Sequence, residues 1–201
     1  MTWRFGVLLT LGAALCACGD DAPATVDAPT DDADAPDAPP CWELVDPIPK
    51  GVGILGTGYD QFESMPTDLP LEYGPQGGFN LVANVRMQGL APGNPANVFD
   101  PSNPRTRIVA YFADTGVQIS GNCPFHVGYK PVDATTYEFN SGVPVIFETC
   151  WGAEHLIGRQ LRVKLEIYDS ANGYVTDERV VTAAAPIINN YPTGGSPGCP
   201  P

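Results

Sequence analysis

Leu161-Arg162-Val163-Lys164-Leu165-Glu166-Ile167-Tyr168 sets an aliphatic side chain at every odd position and a charged or polar one at every even position. A period of two is the signature of a strand with one face in a core and one in water. Asp169-Ser170-Ala171-Asn172-Gly173 follows, rich in residues that tolerate a left-handed backbone, and Tyr174 to Thr182 then reads as the returning strand. The same alternation runs through Phe79, Leu81, Ala83, Val85 and Met87, interleaved with Asn80, Val82, Asn84, Arg86 and Gln88. It recurs at Ile108, Ala110 and Phe112, and Val143 to Phe147 is a further candidate strand. Gly74-Pro75-Gln76-Gly77-Gly78 and Asp114-Thr115-Gly116 supply turns. Only Ala153 to Gln160 has a helical pattern, and Gly152 and Gly158 keep it short. Short strands, tight turns and one apolar face predict an all-β domain, an antiparallel two-sheet sandwich.

Composition narrows the rest. The 201 residues include 22 Gly and 22 Pro, and 23 acidic against 10 basic residues give a net charge of -13. Such a chain has no basic face with which to neutralise phosphates, so nucleic acid is excluded as an expected partner. No heptad is sustained, which excludes a coiled coil. Seven of the acidic residues and one of the basic ones precede Cys41, leaving 16 and nine in the domain expected over residues 41–201.

Residues 1–17 read as an export signal. Arg4 precedes an apolar run from Phe5 to Leu15, too short to span ~30 Å of hydrocarbon as a helix. Leu15-Cys16-Ala17-Cys18 resembles the lipobox of bacterial lipoproteins, which has a branched aliphatic residue three before the cysteine and a small one just before it. That resemblance implies that Cys18 carries the lipid and becomes the first residue of the mature protein. It also implies an exported protein anchored to the outer membrane, on its periplasmic face or at the cell surface, with inner-membrane retention as the other outcome of sorting. Several acyl chains give a stable anchor where one is marginal. From Asp20 to Pro40 the composition falls to Asp, Ala, Pro, Thr and one Val, with Asp-Ala-Pro at residues 27–29, 34–36 and 37–39. With almost nothing to bury, residues 18–40 are expected to form a disordered tether, stiffened by proline and extended by like charge.

The stretch from Gly158 through the 161–168 alternation to Val180-Val181 resembles the last two strands of bacterial immunoglobulin-like domains, and implies that fold for the sandwich. The Gly74–Gly78 hairpin leading into a long strand resembles lipoproteins of myxobacterial type, which implies lineage and address. Four cysteines remain in the domain, Cys41, Cys123, Cys150 and Cys199. They permit three pairings. Cys123 with Cys150 and Cys41 with Cys199 are favoured, the first clipping two central strands and the second tying the ends together. An exported chain without C-x-x-C in its domain favours disulfides over zinc, and no metal or other cofactor is expected.

Catalytic patterns are sparse. His126 and His155 stand outside any H-x-H or H-E-x-x-H spacing, and there is no Gly-x-Ser-x-Gly elbow. Glu148, Cys150-Trp151 and Glu154-His155 make one drawable cluster, which a disulfide-closed polar loop explains equally well. The irregular stretch from Gly89 to Arg105 offers Asn94, Asn97, Asp100 and Asn103 as a candidate binding loop for a glycan or an ion, against the plainer reading of a proline-stiffened crossover between sheets. Tyr59 to Tyr73, with Phe62 and Met65, is a second aromatic stretch, expected mainly to fill the sandwich end. The function expected is a non-catalytic binding module for an envelope protein or glycan, held at the membrane by its lipid. A passive structural lipoprotein is the alternative, and an envelope hydrolase comes last.

Overall fold

The computed structural model describes residues 46–75, 77–121, 123–187, 190–192 and 199, all within the compact unit Pro39–Pro201. The expected signal peptide over 1–17, the lipidated Cys18, the acidic tether and Cys41 lie outside the described residues.

Among the described residues, twelve strands and one short helix follow in chain order: β1 (Ile48–Pro49), β2 (Val52–Thr57), β3 (Glu63–Ser64), β4 (Asp68–Pro70), β5 (Glu72–Tyr73), β6 (Phe79–Gln88), β7 (Arg105–Phe112), β8 (Phe125–His126), β9 (Lys130–Pro131), β10 (Thr136–Ile146), α1 (Ala153–Leu156), β11 (Gln160–Tyr168) and β12 (Gly173–Ala184). One sheet runs β1-β12-β11-β7-β8, with β4 also on β12; the other runs β3-β2-β6-β10-β9, with β5 also on β6. The two sheets form the sandwich that the alternating pattern predicts. Leu161, Val163, Leu165 and Ile167 of β11 are fully buried, as are Leu81, Ala83, Val85 and Met87 of β6. Each large aliphatic side chain so placed contributes ~1.5–3 kcal/mol.

The sheets are not wholly antiparallel, which corrects the expectation. β1 pairs parallel with β12 at Gly173 and Tyr174, and β4 pairs parallel with it at Thr182 to Ala184. Both are two- or three-residue segments of the chain before β6, which reach the outer side of β12 while passing over the sandwich rather than by forming hairpins. The central ladders, β7 with β11, β11 with β12 and β6 with β10, are antiparallel throughout.

Three turns follow the expected chemistry. In the 169–173 turn, Asn172 has φ of 65° and the backbone closes from Asp169 N–H to the Gly173 carbonyl at 2.9 Å. The buried Asp169 carboxylate accepts from Ala171 N at 2.9 Å, Gly173 N at 2.7 Å and, across the fold, Ala91 N at 2.9 Å. One side chain thus fixes both the β11–β12 hairpin and the exit of the chain from β6. The segment between β6 and β7 passes from one sheet to the other, as the crossover reading requires.

The polar face of β11 is not left to water at its C-terminal end. Glu166 is buried, and its Oε2 accepts from Arg107 Nε at 2.7 Å while Oε1 accepts from Tyr174 Oη at 2.8 Å and pairs with Lys164 Nζ at 2.9 Å. Burial pushes this carboxyl up, but Lys164, Tyr174 and Arg107 together outweigh it and hold it below its ordinary value. Burial and the Glu166 carboxylate push the Tyr174 phenol up to about 12. The phenol is therefore stabilising below its unfolded value near ~10, and that contribution is lost as pH rises through about 12. The carboxylate's contribution is present above its unfolded value near ~4.3 and is lost as pH falls below it. Tyr174→Phe is expected to flatten the decline in denaturant stability between pH 9 and 11.5. Part of the decline remains, because the buried Tyr129 phenol, bonded to Thr106 at 2.6 Å, is shifted upward as well. An unchanged alkaline limb in the variant would refute this role for Tyr174.

Candidate functional site

The outward positions of β6 are Asn80, Val82, Asn84, Arg86 and Gln88, which alternation assigns to solvent. Asn80, Val82 and Asn84 are instead buried, at 8%, 6% and 0% exposure. The cover is the chain from Thr57 to Pro75, which crosses the outer face of this sheet. Asn84 holds it there. Its amide nitrogen donates to the carbonyls of Thr57 at 3.0 Å, Gly58 at 2.7 Å and Gln61 at 3.1 Å, and its Oδ1 accepts from Gly142 N at 3.0 Å. Thr57 Oγ1 adds a bond to the Val82 carbonyl at 2.7 Å. Phe62 lies under the Arg86 guanidinium, 4.2 Å from the ring centroid, and Arg86 is paired with Glu138 at 2.6 Å. Gly142, with φ of 65° in the bulge of β10, lets that strand turn beneath the loop.

Beyond Asn84 the cover stands away from the sheet and leaves a cleft of about 1110 Å³. β2 pairs with β6 from Asn84 to Gln88 and β5 pairs with it at Phe79 and Asn80, so the floor of the cleft is the stretch of β6 between those two neighbours. Val82 and Pro144 form that floor, and Tyr59, 57% exposed, stands in the wall. Asp60, Glu63 and Glu72 also line it, and no Lys, Arg or His is among the described residues that do. Glu72 sits directly across from Asn80 in the β5–β6 pair, which puts both side chains on one face as near neighbours. Desolvation raises the Glu72 carboxyl above its ordinary value. The Asn80 Oδ1 atom is buried and has no hydrogen-bond partner among the described residues. A buried acceptor left unmatched costs about 1–3 kcal/mol, so its retention beside a cleft is a chemical signal.

The Gly89–Arg105 loop is held together by its own side chains. Asn94 Oδ1 accepts from Ala96 N at 3.1 Å, Asn97 Oδ1 from Phe99 N at 3.1 Å and Asp100 Oδ1 from Ser102 N at 3.0 Å. These are three successive Asx turns at a spacing of three residues. Asn103 closes the series, its Oδ1 accepting from Asn94 N at 2.7 Å and its amide donating to the Asn97 carbonyl at 2.8 Å. The structure brings all four predicted residues together, with the polar atoms named here engaged by the loop itself. The Ser102 hydroxyl, the Ser102 N–H and Asn94 hold the Asp100 carboxyl below its ordinary value. What the loop presents outward is Val98 and Phe99, at 61% and 91% exposure.

At the opposite corner the disulfide joins Cys150 to Cys199, with Cα atoms 5.0 Å apart. Both favoured pairings are thereby corrected: the C-terminal segment is tied to the loop before α1 and not to the domain's beginning. Pairing is decided by where the ends come to lie, and Tyr191 packing edge-on against Phe79 at 5.5 Å brings the last segment across this side. Cys123 is disulfide-bonded as well. Glu148 lies with Cys150 and Cys199 in a group whose ligand atoms are within 4.8 Å of one another, but the two sulfurs are bonded together and offer no thiolate. His155 Nδ1 accepts from Gly152 N at 3.2 Å and its ring meets Trp151 edge-on, which gives it a structural role in α1. His126 lies on β8, and neither histidine joins a cluster of three potential ligands among the described residues.

The chain matches no known family model, and no curated protein matches it in sequence. The site is therefore read from its own chemistry.

Proposed function

We propose that this chain is an exported lipoprotein, anchored to the outer membrane through Cys18, whose immunoglobulin-like sandwich is a non-catalytic module that binds an envelope protein or glycan. The observation that carries the reading is the cleft over β6: a concave site held by a rigid sheet, walled by an exposed tyrosine, and floored beside a buried acceptor with no partner. Ligand sites have this mixture of apolar wall and few placed polar groups. The Leu15–Cys18 sequence and the acidic tether support the address. Asn94, Asn97, Asp100 and Asn103 serve, in this reading, as the frame that presents Val98 and Phe99.

Two measurements test it. In a bacterial host, labelled palmitate is expected to enter the parent and Cys16→Ala, but not Cys18→Ala. For binding, the purified full chain is melted with cationic peptides, peptidoglycan fragments and envelope polysaccharides. A ligand at a hundred times its Kd should raise Tm by ~5–10 °C. No shift with any class would favour the passive structural reading.

A further inference from the structure

We infer that the cleft over β6 recognises an extended cationic peptide segment, binding lysine ammonium groups at Glu72 and Asn80 and along the carboxylates beyond them. The inference rests on the reading of this cleft as the binding site and adds the chemistry of what enters it.

Four observations converge. First, every charged residue in the described lining is a carboxylate, Asp60, Glu63 or Glu72, so an anionic ligand would meet like charge and no counter-charge. Second, Asn80 is more than nine-tenths buried and is one of the residues that line the cleft, and its Oδ1 has no hydrogen-bond partner among the described residues; an unmatched acceptor asks for a donor. An ammonium has three donors and no acceptor, so it can satisfy this oxygen and the neighbouring Glu72 carboxylate together. Their position directly opposite each other on β5 and β6 sets the two acceptors on one face at the distance of a cross-strand pair. Third, the carboxylates do not converge on a point. Among the described residues, the cleft holds no group of three potential ligands with atoms within 4.8 Å of one another. A calcium ion needs six to eight oxygens converging at ~2.3–2.6 Å. Dispersed carboxylates suit charges spaced along a chain.

Fourth, the rest of the wall is apolar and aromatic. Pro66, Pro70 and Pro144 offer surface to aliphatic lysine stems, and Tyr59 offers a ring face to a cation. The volume, about 1110 Å³, exceeds the ~300–1,000 Å³ usual for a small-molecule site, which favours a peptide over a short diamine.

The test uses the full chain and a fluorescent eight-residue peptide of alternating Lys and Ala, followed by anisotropy. Its Glu-Ala counterpart, spermidine and a neutral oligosaccharide are compared with it. The peptide is expected to bind at least tenfold more tightly than spermidine, and the Glu-Ala peptide not at all. Glu72→Gln is expected to weaken binding about tenfold. Asn80→Leu should weaken it by a similar factor while leaving Tm unchanged or higher, because it removes an unmatched buried acceptor that contributes nothing to folding. These variants leave the acidic segment before Cys41 untouched, so their effect separates the cleft from simple attraction to that segment. Peptide binding that is indifferent to both substitutions would overturn the inference. Binding of the neutral oligosaccharide alone, lost in Asn80→Leu, would overturn the cationic assignment and leave the cleft as the binding site. Failure of every probe would remove both.

Discussion

Asn84→Ala is expected to lower the stability of the domain by about 3 kcal/mol and, at this chain length, its melting temperature by roughly 6–12 °C. The residue is wholly buried and meets the backbone at four places: three carbonyls of the 57–61 segment and the N–H of Gly142. Alanine leaves a void and strands those groups away from water. The damage is local to the cover of β6, so amide exchange should accelerate at Gly142 before it does in β11. Asn84→Asp sharpens the test. At neutral pH it sets a carboxylate against three carbonyl oxygens, and protonation restores one donor, so the deficit relative to the parent should shrink as pH falls. An alanine variant melting within a degree of the parent would mean that the Thr57–Val82 bond and the Phe62–Arg86 contact hold the cover without Asn84.

Asp169→Ala should cost a comparable amount, about 3–4 kcal/mol, for a different reason. Its carboxylate serves three backbone N–H groups on two separate segments, so its loss loosens the β11–β12 turn and the start of the 89–105 crossover at once. An asparagine side chain at this position would keep one acceptor oxygen, and Asp169→Asn is expected to recover about half the loss. Denaturant unfolding of both variants checks the order, and equal losses would show that the carboxylate's charge and second oxygen, rather than its shape, govern the site.

Much of the sandwich is legible in the chain. Period-two alternation in β6, β7, β11 and β12 follows from one face meeting a core, and the turns at 74–78, 114–116 and 169–173 carry residues that the backbone there requires. β2 is not legible, because Gly53 and Gly56 break its pattern. Each is needed for close approach: a Cβ at Gly53 would lie 3.0 Å from Val175, and one at Gly56 would lie 2.4 Å from the Phe62 ring. Alternation also states only which residues share a face, so it could not foretell that the polar face of β6 is roofed. Asn80, Asn84 and Glu72, the residues that define the cleft, were therefore missed. Tyr59 to Tyr73 carried a signal, and the structure divides it: Phe62 stacks on Arg86, and Met65 packs on the core as expected, while Tyr59 opens to the cleft. The three-residue spacing of Asn94, Asn97, Asp100 and Asn103 was visible too. It marks serial Asx turns as readily as a ligand set, and the hydrogen bonds within the loop show the turns. Disulfide pairing depends on where distant segments meet, which spacing does not encode.

The two short parallel partners of β12 have a consequence for how copies of this protein tolerate one another. A strand end with bare N–H and C=O groups invites the same strand of a neighbouring molecule to zip onto it. β1 occupies one end of that margin and β4 the other, while between them Asp177 turns its carboxylate across to cap the Leu55 N–H of β2 at 2.8 Å and pairs with Arg179. One acidic side chain thereby fills the gap between β1 and β4 and ties that margin to β2 of the other sheet, so an incoming strand would have to displace an internal hydrogen bond before it could pair there.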